Sequence, residues 1–127
     1  MSFAEADVVK RRVGVAAGEL PVGEEPDDVA RRLLTKQADR LIDEIRGSVN
    51  FFASQSSDSI SRVVVAGNAA RLPHLANRLG QKLAIPIVPA KILERVEIGR
   101  VGLSESEMLD AQPVLPTAVG LGLWGET

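Results

Sequence analysis

The sequence predicts an α/β fold that is rich in helix and holds one short parallel βαβ unit. Apolar residues recur at helical spacing from 29 to 52, over about six turns. Two short apolar runs, 62–67 and 85–89, have the length and β-branched content of buried strands. A helical pattern lies between them, so the strands are expected to be parallel and the crossover right-handed.

Composition limits both size and chemistry. The 127 residues suffice for one domain, and 45% apolar with 25% charged residues excludes a disordered chain. The net charge of -2 and 3% aromatic content argue against a nucleic-acid surface, which needs basic charge and stacking rings. With no cysteine and one histidine, disulfides, thiolate ligands and His-rich metal sites are excluded.

No targeting segment is predicted in the chain. Its first dozen residues carry charges where a signal peptide needs an apolar stretch. Its longest apolar runs fall far short of the roughly 20 residues that a membrane helix requires. We therefore expect a cytoplasmic protein without direct membrane insertion.

Two helices are predicted in residues 1–55. The first covers residues 2–15, where Ser2 and Glu5 have capping-box spacing. The second follows an acidic segment containing Pro26, which suits a helix N-terminus. Its charged face is expected to be solvated, and comprises Arg31, Arg32, Lys36, Asp39, Arg40, Asp43 and Arg46. A serine-rich loop, 54–59, ends it.

Residues 60–127 contain the βαβ unit and a closing helix. The strand at 62–67 is expected to be buried on both faces, and Pro73 lies near the first turn of the helix that follows. Residues 90–112 are expected to hold a loop, a short strand and one or two helical turns. A helix of small residues is expected over 113–124. Two parallel strands are too few for an independent sheet, which indicates part of a larger structure.

The turn after the first strand is the best candidate for binding chemistry. Gly67 connects a strand to a helix, where backbone N–H groups and the positive helix end face a ligand. Arg71, four residues later, has a planar guanidinium that stacks on a base or pairs with a phosphate. A glycine at such a turn also has a purely structural explanation. His74 has no nearby nucleophile and is expected to be a surface residue.

Four segments occur in the order seen in a known family. The stretch ISRVVVAGNAARLPHLANRLGQKL, 60–83, resembles the adenosine motif of actin-like ATPases. SFAEADVVK, SVNFFASQSS and LPTAVGLGLWG resemble other segments of PilM-like type IV pilus assembly proteins, with FtsA-like proteins as near relatives. The resemblance covers nearly the whole chain. It implies a partial actin-like, ribonuclease H-like ATPase subdomain, with 1–127 as a C-terminal portion.

The resemblance also implies site residues. The backbone of Gly67, Asn68 and Ala69 would lie against the nucleoside, and Arg71 would pack against adenine. Asp7 and Lys10, three residues apart on one helix face, would contact the ribose. An ordinary exposed ion pair is the alternative for these two residues. No catalytic or metal-binding residue is implied in this chain.

Two departures from the family pattern limit the expected activity. Asn68 replaces the second glycine of the motif, and asparagine tolerates positive φ better than most residues. The two phosphate motifs, each with an aspartate that positions magnesium and water, have no counterpart in the sequence. The chain is therefore expected not to hydrolyse ATP, and to bind it weakly or not at all without the rest of a parent protein that takes ATP with magnesium.

Two functions remain open from the sequence. In the first, the chain supplies the adenosine-side wall of an ATP cleft and a scaffold surface for pilus-assembly proteins, a PilN-like tail docking elsewhere on the parent. In the second, it is a nucleotide-independent interaction or oligomerisation module derived from the same fold, whose unpaired strand edges pair with a partner or with a second copy. An unrelated small α/β enzyme is disfavoured, because the sequence holds no constellation of nucleophile, base or metal ligands.

Overall fold

The computed structural model describes residues 1–125. Its elements, in chain order, are α1 Phe3–Val13, α2 Pro26–Gln55, β1 Val63–Val65, α3 Leu75–Leu83, β2 Ile87–Pro89, α4 Glu105–Ala111 and α5 Leu115–Trp124. Short 3₁₀ turns cover Asn68–Arg71, Ile92–Glu94 and Gln112–Val114. The helix-rich α/β class is confirmed. The chain divides into two compact units. The first comprises Met1–Val63 and Leu72–Ile87, and the second comprises Val64–Arg71 and the chain from Val88 onward.

Helix α1 begins as the sequence predicts. The Ser2 hydroxyl accepts a hydrogen bond from the Glu5 N–H at 3.2 Å, and the Glu5 carboxylate accepts one from the Ser2 N–H at 2.6 Å. This capping box satisfies two backbone donors that lack a partner within the helix. The same bonds hold the pKa of Glu5 below its ordinary value. The helix ends at Val13, two residues before the predicted end, and Gly14 is its C-cap.

Helix α2 carries a charged face that is only partly solvated. Lys36, Arg40, Asp43 and Arg46 are exposed, as expected. Arg32, in contrast, donates to the carbonyls of Pro21 and Gly23 at 2.9 Å, while Arg31 lies near the Val13 carbonyl and Asp39 binds α3. The prediction was wrong for these three residues. Irregular backbone packs against this face and its carbonyls need the two arginines as donors, while the Asp39 carboxylate accepts from the Arg78 side chain.

The core of the first unit is small and includes a polar side chain. Thr35, which is fully buried on α2, accepts a hydrogen bond from the Ala16 N–H at 2.8 Å and donates to the Arg31 carbonyl at 2.6 Å. These bonds satisfy both the hydroxyl and a backbone amide removed from water. The buried apolar residues around this layer are Val13, Val15, Ala16, Ala38, Ile42 and Leu79.

A buried arginine on α3 joins α2 to the segment that follows α1. Arg78 donates from Nε and an Nη atom to the two carboxylate oxygens of Asp39, at 2.6 and 2.8 Å. Its other Nη atom donates to the carbonyls of Ala16 and Gly18, at 3.1 and 2.9 Å. Lys82 Nζ lies 3.4 Å from the same aspartate. We call Arg78, Asp39 and these two carbonyls the arginine clamp.

The arginine clamp makes the stability of the protein sensitive to acid. Its hydrogen bonds from Arg78 hold the pKa of Asp39 below the ordinary value. A carboxyl with a depressed folded pKa stabilises the fold above its unfolded pKa of roughly 4, and this contribution disappears as pH falls through the folded pKa. We expect acid unfolding of the wild type to lose this contribution below roughly pH 4, and Asp39→Asn to have a flatter pH dependence there. Chemical denaturation at several pH values measures this difference, and equal slopes would contradict it.

The two strands pair in parallel. The Val63 N–H donates to the Pro86 carbonyl at 2.8 Å, and the Ala90 N–H donates to the Val65 carbonyl at 2.9 Å. These bonds place Val63 opposite Ile87 and Val65 opposite Pro89. The expected burial of the first strand on both faces is wrong, since the Val64 side chain is 57% exposed. A strand face is buried only where another layer packs on it, and the described residues leave the Val64 side of β1 open to solvent.

The second unit contains an irregular stretch and two short helices. No strand forms between 90 and 112; Ile92–Glu94 is a 3₁₀ turn, and the Leu93 N–H donates to the Gln112 side chain at 3.2 Å. Helix α4 begins with a second capping box, in which Ser104 and Glu107 exchange bonds of 3.2 and 2.7 Å. The closing helix is confirmed as α5.

Candidate functional site

The glycine turn after β1 has a backbone that requires glycine. Gly67 adopts φ +95°, a region that side chains with a Cβ rarely occupy. Its N–H donates to the Pro113 carbonyl at 2.5 Å, and its carbonyl accepts from the Ala70 N–H at 3.1 Å. The Gly67 N–H is therefore already engaged within the second unit. It is not available to a ligand, although the sequence predicts that it faces one.

The rest of the turn presents exposed groups. Asn68, Ala69 and Arg71 are exposed, and the 3₁₀ turn that they help to form needs no positive φ at Asn68. The replacement of the family glycine by asparagine is therefore accommodated without backbone strain. Within residues 1–125, the Arg71 side chain makes neither a hydrogen bond nor an ion pair, and its guanidinium is open to solvent.

Asp7 and Lys10 lie on one face of α1, as their spacing predicts. Lys10 Nζ is 2.8 Å from one carboxylate oxygen of Asp7, and Arg11 Nε is 2.7 Å from the other. The hydrogen bond from Lys10 is the main reason that the pKa of Asp7 is lowered. Two cations thus already engage this carboxylate, and both of its oxygens have partners. A ribose contact by Asp7 would have to share or displace one of them.

The predicted residues belong to both units of the chain. Gly67, Asn68, Ala69 and Arg71 lie within five consecutive positions of the second unit, whereas the Asp7–Lys10 pair belongs to the first. His74 is exposed, as expected, but has φ +66° at the N-cap of α3. No group of three or more potential metal-ligating side chains is found in the described part of the chain.

Sequence reasoning missed the arginine clamp. Arg78 lies three residues after Leu75 and beside Leu79, on the inward face of α3. This spacing could have predicted a buried arginine, and a buried arginine needs hydrogen-bond acceptors. Its partners, at Asp39 and at carbonyls about sixty positions away, were not identifiable from the pattern.

The fold and the glycine turn indicate a class of protein. A helix-rich chain with a small parallel sheet and a glycine turn between strand and helix is consistent with a partial actin-like α/β fold. Comparison with known families finds that the family described as "Type IV pilus assembly protein PilM" matches residues 1–126. The chain therefore belongs to the PilM family of type IV pilus assembly proteins. No curated protein matches it.

The helices of the described chain do not include a membrane span. None of those within residues 1–125 combines the length and the apolar character needed to cross a bilayer.

Proposed function

We propose that this chain supplies the adenosine-side wall of an ATP cleft in a PilM-family actin-like protein, as a non-catalytic C-terminal portion. The observation that carries the proposal is the exposed Arg71 guanidinium, which ends the glycine turn and has no partner within the described residues. A guanidinium free of internal ion pairs retains its capacity to stack on an adenine ring. Asn68 and Ala69 offer exposed surface beside it.

The proposed ribose contacts are Asp7 and Lys10. An aspartate and a lysine on adjacent turns offer an acceptor and a donor to sugar hydroxyls. The magnesium that accompanies ATP would be held by other parts of the parent protein. Phosphoryl transfer depends on phosphate motifs with metal-positioning aspartates, and these motifs have no counterpart in this sequence. The chain itself is proposed to be non-catalytic.

A second candidate function is a nucleotide-independent interaction module. One observation favours it: the Gly67 N–H, which the first proposal would turn toward a nucleoside, donates instead to Pro113. The scaffold surface of the first proposal and the interaction surface of the second could both use exposed apolar side chains, among them Phe3, Leu33 and Phe51, which are each more than half exposed. The partners of the interaction module would be pilus-assembly proteins in the cytoplasm or a second copy paired at a strand edge.

The two functions predict different responses to ATP. We expect a calorimetric titration with ATP and magnesium to show saturable, weak binding, and Arg71→Ala to reduce the affinity by roughly tenfold through loss of stacking. Arg95→Ala is the matched control, because it removes another exposed arginine from the same unit but outside the turn. It should leave the affinity unchanged.

The outcome separates the candidates. Equal loss in both arginine variants would indicate nonspecific attraction of the triphosphate and contradict the adenosine wall. No heat from a folded chain, together with a mass in solution above that of a monomer, would favour the interaction module. Asp7→Asn, titrated separately, tests the ribose contact; unchanged affinity would assign the Asp7–Lys10 pair to helix stability alone.

A further inference from the structure

An open groove lies in the second unit, apart from the glycine turn. It has a volume of about 720 Å³ and is formed by the 3₁₀ turn Ile92–Glu94, the irregular stretch 98–103 and helix α4. Its apolar lining comes from six side chains, which are Leu93, Ile98, Val101, Leu103, Met108 and Leu109. We call this feature the α4 groove.

The α4 groove is too open for a small enclosed ligand. Ile98, Val101, Leu103 and Leu109 are 51%, 49%, 51% and 54% exposed, so about half of each side chain faces water. A pocket for a small molecule typically buries most of the ligand's surface. An open apolar trough beside a helix suits a peptide segment that lays one apolar face against it.

The charged residues along the groove indicate which charge the bound segment carries. Three charged residues line it: Glu94, Arg100 and Glu105. Glu94 lies 3.5 Å from Lys91 Nζ, and Glu105 occupies the first turn of α4, where the helix dipole stabilises an acid. Arg100 has no such explanation, since its side chain makes no ion pair or hydrogen bond among the described residues. The groove therefore presents one unmatched cation within an apolar surface.

We propose that the α4 groove binds an amphipathic peptide segment of a partner protein, with apolar side chains against Val101 and Leu109 and one acidic side chain paired with Arg100. A segment with several acids is disfavoured, because Glu94 and Glu105 would repel the additional charges. The proposal does not depend on nucleotide binding, since the glycine turn contributes no residue to the groove.

A second copy of this chain is a poorer occupant. The most apolar segment that the described chain offers is α5, whose Leu121 and Leu123 are more than half exposed. Helix α5 contains no charged residue, so its docking would bring no carboxylate to Arg100, which the groove's own two glutamates do not pair. An amphipathic segment with one acid matches both the apolar lining and Arg100, whereas α5 matches only the apolar lining.

The test uses two synthetic helical peptides of about 15 residues, a length at which a helix becomes stable enough to study. Both carry leucines along one face; one has a glutamate at the centre of that face and the other a lysine. We expect the glutamate peptide to bind roughly tenfold more tightly in fluorescence anisotropy, and to shift the NMR methyl signals of Val101 and Leu109. Arg100→Glu should reverse the preference between the peptides.

Two further variants test the location. Leu109→Gln should weaken both peptides by roughly tenfold, because it removes apolar contact area from the groove. Arg95→Glu, a charge reversal at a residue that does not line the groove, should preserve the preference. The proposal is overturned by a preference that survives Arg100→Glu, by methyl shifts confined to other surfaces, or by a chain dimer whose interface covers the groove.

Discussion

Replacing Arg78 with methionine is expected to lower the free energy of unfolding by about 3 kcal/mol. Methionine retains much of the aliphatic volume but removes all four hydrogen bonds of the arginine clamp. The loss is large because it leaves Asp39 without its main counter-charge and two backbone carbonyls with fewer donors. Denaturant unfolding followed by circular dichroism measures the change.

Arg46→Met is the matched control for this substitution. Arg46 also bonds to an aspartate, Asp43 at 3.2 Å, but both side chains are more than half exposed. Solvent screening makes such pairs worth less than about 1 kcal/mol. An Arg78 variant no less stable than the Arg46 variant would mean that the clamp contributes no stability to the fold.

Replacing Gly14 with alanine is expected to lower the free energy of unfolding by roughly 3 kcal/mol. Gly14 adopts φ +65° and ψ -171°, a combination that is almost confined to glycine. A Cβ built there would lie 2.6 Å from Pro73 Cβ and 2.8 Å from the Pro73 carbonyl oxygen. The same carbonyl accepts the Val15 N–H at 3.1 Å, so relief of the clash would disturb that bond.

Gly47→Ala provides a control of opposite sign. Gly47 lies within α2, and a Cβ there would have nothing within 4 Å outside the helix's own backbone. Alanine at this position should stabilise the protein by about 0.5–1 kcal/mol, because glycine loses more backbone entropy in a helix. Thermal unfolding of the two variants should therefore shift in opposite directions. Equal shifts would contradict the proposed close approach of Gly14 to Pro73.

Local signals in the sequence accounted for most of the secondary structure. The capping box at Ser2 and the helical apolar repeat of α2 depend on residues three or four positions apart, and both elements form. The two strands and their parallel pairing follow from short apolar runs separated by a helix. The family resemblance also came from local order, and residues 1–126 match that family.

In the candidate site too, the features set by neighbouring residues were predictable, and those set by distant residues were not. The sequence by itself determined that Asp7 and Lys10 share a helix face and that Gly67 occupies a strand-to-helix turn, because each depends on neighbouring positions. It did not determine that Arg11 also binds Asp7, or that the Gly67 N–H is taken by Pro113. Their nucleoside contacts remain predictions.

Only the tertiary structure decided which polar groups are engaged and which remain available. The sequence predicts a solvated helix face for Asp39 and a binding turn for Arg71. In the structure Asp39 is held in the arginine clamp, whereas the Arg71 side chain has no partner within the described residues. The difference arises because burial forces polar groups to find partners wherever the chain returns, often at distant positions. Periodicity in a sequence specifies a face of a helix, but only the packed chain supplies the acceptors that meet it.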